Sequence, residues 1–208
     1  MTMITEPPFL VGPRVELAPL GEADISRDYL AWLNNTEVLR YRTPKAFPTT
    51  MRELKRWVYE LPHRGDLVLR IRLRRGGRHI GNIALNSIQW IHGSAELAIM
   101  IGARDVWGRG FASEAIALVA RHAFECMGLH RVWSESANPA FIRAVARLGW
   151  RKEGHKREAL LVDGRHVDVE CWATLAHEYQ ARSATTARSH SYSKSAPLET
   201  RGAQRKRR

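Results

Sequence analysis

The chain has 208 residues, 44% of them hydrophobic, a size and balance that fit one domain with a full core. More than half of its formal charge of +12 comes from residues 181–208, where Arg182, Arg188, Lys194, Arg201, Arg205, Lys206, Arg207 and Arg208 face one acid, Glu199; charge alone therefore does not make the folded part a nucleic-acid binder. No apolar run approaches the roughly 20 residues of a membrane span, no signal peptide is read at the N-terminus, and Cys126 and Cys171 form no C-x-x-C, so the chain reads as cytoplasmic, without a disulfide framework and without a metal.

In chain order, Val15–Leu20 alternates apolar and polar residues and predicts a first strand. A helix follows with Ile25, Tyr29, Leu30, Trp32 and Leu33 at helical spacing. Thr50 with Glu53 three residues on forms a capping-box pattern, and Leu54, Trp57, Val58 and Leu61 give the second helix one apolar face. Strands are predicted around Leu67–Arg74, His79–Ile91 and Ser94–Gly102, the first two joined across Gly76-Gly77. A long helix runs from Ala112 to about Met127, with Gly128 ending it. A strand at His130–Ala137, a short helix with Pro139 in its first turn, and two strands joined at Asp163-Gly164 complete the pattern. The order β-α-α-β-β-β-α-β-α-β-β predicts an α+β, layered α/β domain over residues 1–180, and residues 181–208 read as a disordered basic tail.

The segment Asp105-Val106-Trp107-Gly108-Arg109-Gly110 opens the long helix. A helix start exposes about four unpaired N–H groups and carries roughly half a positive charge. Glycines there let an anion approach the backbone, although two glycines around an arginine also fit a tight turn that binds nothing.

The run "WGRGFASEA" resembles the pyrophosphate loop of the GNAT (GCN5-related) N-acetyltransferase superfamily, whose pattern is R/Q-x-x-G-x-G/A. Gly108 and Gly110 match it and Asp105 departs from it. "AELAIMIG", Asn138 to Trp150, Glu153-Gly154, Asp163-Gly164 and Asp168 extend the similarity to about residues 10–180, in the Rim-type and amino-sugar branch. The resemblance implies a GNAT fold: a mixed, mostly antiparallel seven-stranded sheet with four helices on its faces. It implies acetyl-CoA as co-substrate, transferase (acyltransferase) activity, and transfer of an acetyl group to a primary amine.

On that resemblance, Val106, Trp107, Gly108, Arg109, Gly110, Phe111 and Ala112 hold the pyrophosphate. The backbone of Ile99, Met100 and Ile101 pairs with the pantetheine arm, and Asn138 stands at the cofactor-contact asparagine. Glu96, the single acid in an apolar strand, is the first candidate for the general base, and Glu135 on the neighbouring strand is the second. Phe141 and Val145 occupy positions where relatives place a Ser or Tyr proton donor, so the general acid is missing; water, Ser134 or Ser136 are the substitutes.

Trp32, Tyr41 and Asp168 are expected on the acceptor side. The acceptor is expected to be a small amine such as an amino sugar or aminoglycoside-like compound, with a protein N-terminus as the alternative and a polyamine less favoured. A different class of function, a non-catalytic CoA-binding protein tethered to RNA through its basic tail, stays open at this point. So does a homodimer, which relatives often form.

Overall fold

The computed structural model describes residues 7–42 and 47–182; the tail expected from 181 onward falls almost wholly outside these. The elements in order are β1 (Leu10–Val11), β2 (Val15–Pro19), α1 (Arg27–Trp32), α2 (Met51–Glu60), β3 (Leu67–Leu73), β4 (His79–Gln89), β5 (Ser94–Ile101), α3 (Phe111–Glu125), β6 (Arg131–Ser136), α4 (Pro139–Arg147), β7 (Arg151–Val162) and β8 (Arg165–Leu175). Residues up to Ala176 form one compact unit, and His177–Arg182, which are helical, begin a second.

One mixed sheet carries the fold in the order β1-β2-β3-β4-β5-β6-β8-β7. It has eight strands rather than seven because the two-residue β1 pairs antiparallel with β2, a piece too short to leave a periodic signal in sequence. All neighbours are antiparallel except β5 and β6. A parallel pair needs a crossover, and α3 supplies it. The chain therefore leaves the C-terminal end of β5, turns through 102–110, and presents the start of α3 beside that strand end.

Local chemistry sets the element ends. Ser26 Oγ accepts from Tyr29 N at 3.1 Å to start α1. At α2, Thr50 Oγ1 accepts from Glu53 N at 3.2 Å while Glu53 Oε2 accepts from Thr50 N at 2.7 Å, the predicted capping box. Asp163 and Gly164 both take positive φ, which gives the β7–β8 turn the twist a two-residue hairpin needs.

Met100 packs with Leu20, Tyr29, Leu54, Val58 and Leu61 under α1 and α2. Successive strand residues point to opposite faces, so Ala95 and Leu97 project the other way, and both are fully buried. β5 is thus covered on both faces, with α3 lying against β2, β4, β5 and β6. Arg70 of β3 is buried at 1% exposure and donates to Pro19 O and to Asp24 Oδ2, tying the loop before α1 to the sheet.

Candidate active site

The ladder between β5 and β6 runs only from Ser94–Arg131 to Glu96–Trp133. Beyond that point β5 stays with β4 as far as Ile101, and β6 stays with β8 as far as Ser136. The two facing edges part, and a cleft of about 980 Å³ lies there, reaching from Glu96 and Glu135 to Gly108, Gly110 and the first residues of α3. Ligands in sheets with parallel strands enter at such strand ends.

Backbone direction along β5 decides which groups face the gap. Gly93 O accepts from Arg131 N at 3.0 Å, so the odd-numbered carbonyls of β5 point toward β6. Two of them are taken by side chains. Ile99 O accepts from Arg42 Nη1 at 3.1 Å, and Ile101 O accepts from Trp107 Nε1 at 2.8 Å. Met100 alternates with these and pairs with Asn82 of β4, so its backbone faces away from the gap while its side chain joins the core. Of the three β5 residues singled out from sequence, Ile99 and Ile101 present main-chain groups to the cleft and Met100 does not.

The loop that closes the other end is shaped by conformation. Gly108 and Gly110 have φ of 76° and 81°, in the left-handed region. Gly110 is the N-cap of α3 and offers no side chain to the first N–H groups of the helix. Val106, Trp107, Phe111 and Ala112 line the cleft with them, and Arg109 is placed between the two glycines.

A clamp holds this loop to the turn before β2. Glu114 Oε1 accepts from the backbone N of Arg14 and Val15 at 2.7 and 3.0 Å, and Oε2 accepts from Arg14 Nε at 2.8 Å. Arg14 Nη1 then reaches Arg109 O at 2.9 Å, and its guanidinium stands 4.9 Å from the centre of the Phe111 ring. Asp105 makes a bidentate pair with Arg78 at 2.6 and 2.8 Å, which neutralises a charge that would otherwise face an incoming anion. The Arg78 partner keeps the Asp105 carboxyl below the usual range.

The titratable groups cluster where β5 and β6 part. Glu96 is half-buried, and burial followed by the neighbouring Glu135 carboxylate raises its pKa. It makes no ion pair within 4.0 Å among the described residues. Glu135 Oε2 accepts from Lys156 Nζ at 2.6 Å, and the Cys171 thiol sits 3.9 Å from Oε1. Ser134 and Ser136 also line this end, as does Phe141, whereas Val145 is fully buried in α4. Asn138 lines the cleft and caps α4, its Oδ1 accepting from Ala140 N at 2.9 Å.

The expected acceptor residues are scattered. Tyr41 lines the cleft beneath Arg40, which is paired with Asp163 of the β7–β8 turn. Trp32 is elsewhere: its ring packs on Tyr29 and His79 and lies so close to Gly102 that any Cβ there would collide with it. Asp168 accepts from Glu158 N at 2.9 Å on the exposed β7–β8 hairpin and does not line the cleft. A smaller pocket of about 240 Å³ opens between α1, α2 and the β4–β5 face, sharing Arg42, Ala98, Ile99 and Met100 with the larger cleft. Sequence reasoning missed Arg14, Arg42, Thr49, Arg78 and Glu114. Glu114 alone had a local signal, as the last acid of "WGRGFASEA"; the others act across long stretches of chain.

A family model described as acetyltransferase (GNAT) domain matches residues 14–151. The chain is 30% identical over 165 residues to the uncharacterized N-acetyltransferase p20 of Bacillus licheniformis, covering 77% of this chain and 90% of that protein. Among solved structures it is similar to the spermidine N-acetyltransferase of Vibrio cholerae in complex with CoA and spermine, with a TM-score of 0.72 and 25% identity, covering 81% of this chain and 99% of the other.

Proposed function

The chain belongs to the acetyltransferase (GNAT) domain family and is an acetyl-CoA-dependent N-acetyltransferase, and from that premise we propose how its cleft carries the transfer and which amine it takes. The carrying observation is the parting of β5 from β6 directly beside the uncapped start of α3. The pyrophosphate of acetyl-CoA is held by N–H groups between Val106 and Ala112, with Arg109 adding charge. The pantetheine arm lies along the β5 edge, where it exchanges with the Trp107 and Arg42 side chains for Ile101 O and Ile99 O. An odd-numbered N–H of that edge, from Ile99 or Ile101, then faces the thioester carbonyl as oxyanion donor.

The amine must lose a proton before attack. At pH 7 this costs about 1 kcal/mol for an α-amine of pKa about 8, and about 4.6 kcal/mol for a lysine-like amine. Glu96 takes that proton, directly or through water: it lies at the strand junction, carries a raised pKa and has no competing ion pair among the described residues. Glu135 is already committed to Lys156, which makes it the weaker candidate. The thiolate leaves without a tyrosine acid, which a thiol pKa near 8.5 allows; Ser134 and Ser136 are the hydroxyls lining that end.

The acceptor is a small primary amine. The Vibrio neighbour is named for spermidine, a polycation. In this chain the cleft's other carboxylates are already paired, Glu37 with Arg104 and Glu135 with Lys156, so a second ammonium finds no ready partner. This supports an amino-sugar-like acceptor over a polyamine. Thiol release from acetyl-CoA, measured over glucosamine, spermidine and an N-terminal alanine peptide, tests it. The reading predicts fastest release with glucosamine. Fastest release with spermidine or the peptide replaces that acceptor class, and no release with any of these amines or with acidic amino sugars contradicts the catalytic reading.

A further inference from the structure

The small pocket beside β5 has a chemistry that the transfer itself does not explain. Arg42 stands at the junction of both cavities, with its side chain exposed and one nitrogen on Ile99 O. It has no carboxylate within 4.0 Å among the described residues. Glu53, the pocket's only acid among the described residues, is engaged with Thr50 N and Oγ1 in the α2 capping box. The Asn82 amide oxygen accepts from His79, and burial pushes the Tyr29 phenol up.

Thr49 differs from these neighbours. Its main chain is held on both sides by Asn34, which accepts from Thr49 N at 2.8 Å and donates to Thr49 O at 3.0 Å. The residue is 6% exposed, and Oγ1, sealed from solvent, has no hydrogen-bond partner among the described residues. A buried hydroxyl left unpaired is costly, and a ligand toward which it turns and with which it pairs recovers that cost. Among the described residues the pocket therefore combines a guanidinium that has no carboxylate partner with an unpaired hydroxyl, and its carboxylate is already engaged.

We propose that this pocket recognises an anionic group on the acceptor, a phosphate or carboxylate held by Arg42 with an adjoining oxygen on Thr49 Oγ1, so that the substrate is a monoamine bearing one acid group. The inference rests on the acetyl-transfer reading above and narrows its acceptor class. Arg42 and Glu96 both line the larger cleft, so the acceptor's anion is assigned to Arg42 and its amine to Glu96. Arg42 also leaves Ile99 O when the pantetheine arm arrives, which frees its planar fork for bidentate binding.

The test is a calorimetric titration of the protein saturated with CoA. Glucosamine, its 6-phosphate, its 6-carboxylate (2-amino-2-deoxyglucuronic acid) and spermidine serve as probes. One of the two acidic sugars is expected to bind about tenfold tighter than glucosamine, and the Arg42→Gln variant to bring that ratio to about one. The winning sugar names the anion. Equal binding of all three sugars, or tightest binding of spermidine in both proteins, overturns the proposal. Thr49→Val keeps the shape and removes the hydroxyl: it is expected to weaken the preferred sugar several-fold without lowering the melting temperature. Unchanged affinity in that variant removes Thr49 from the site. An anion preference without thiol release leaves this site standing and contradicts acetyl transfer, whereas release with spermidine and no anion preference does the reverse.

Discussion

Glu114, four residues into α3, holds the backbone N–H of Arg14 at 2.7 Å, and Arg14 in turn holds the carbonyl of Arg109 at 2.9 Å. The shape of the loop before α3 therefore depends on a turn about a hundred residues earlier. Burial pushes the Glu114 pKa up, but the N–H groups of Arg14 and Val15 and the Arg14 guanidinium outweigh it and hold the carboxyl below its ordinary value. Such a group stabilises the fold above the ordinary glutamate range and loses that effect as pH falls through the native pKa. Glu114→Ala is expected to cost about 2 kcal/mol at pH 7, a melting decrease of about 5 °C, and to raise KM for acetyl-CoA. Thermal melts at several pH values check it: the gap between the two proteins narrows below about pH 4.

Glu96 carries the opposite sign. Its pKa is raised by burial and by Glu135, so ionising it at neutral pH opposes folding. Glu96→Gln is expected to melt slightly higher than the parent at pH 8, with the difference lost under acid conditions. Its kcat/KM falls by about 10²–10⁴-fold, and the acid limb of the pH–rate profile disappears. A variant that keeps the parent profile contradicts its role as base.

Gly110→Ala separates conformation from chemistry. The position has φ of 81°, and a Cβ there stands 3.3 Å from Arg14 Nη2. The left-handed backbone costs an L-residue about 1–2 kcal/mol. Coenzyme affinity is expected to drop several-fold while turnover at saturation changes little, which initial-rate kinetics resolve.

Asp24→Asn tests the buried anchor of the first helix. Arg70 is 1% exposed and stands 3.0 Å from Asp24 Oδ2. Removing one partner of a buried pair costs about 3–5 kcal/mol, and an amide that keeps the hydrogen bond retains part of it. Denaturant unfolding is expected to show a loss of about 2–3 kcal/mol, below that scale because the amide keeps a hydrogen bond.

Much of this was legible from the chain alone, because the signals were local. Thr50 and Glu53 announced α2, Asp163-Gly164 announced the last hairpin, and the Gly108–Gly110 run announced the start of α3. Other features depend on residues far apart. Asp105 departs from the family's loop pattern, and only the fold brings Arg78, from another turn, to it as a partner. Trp32 looked like an acceptor wall because its helix usually forms one, yet the absent side chain at Gly102 draws its ring inward. Arg42 gave no signal at all, since its importance comes from the β5 edge it touches.

If acetyl-CoA fills the gap between β5 and β6, a crystal structure of the complex with CoA shows it. Pyrophosphate oxygens are expected within hydrogen-bond distance of backbone nitrogens between Val106 and Ala112, with pantetheine amides on Ile99 or Ile101 and Trp107 Nε1 released from Ile101 O. A coenzyme bound elsewhere, with that indole bond intact, contradicts it.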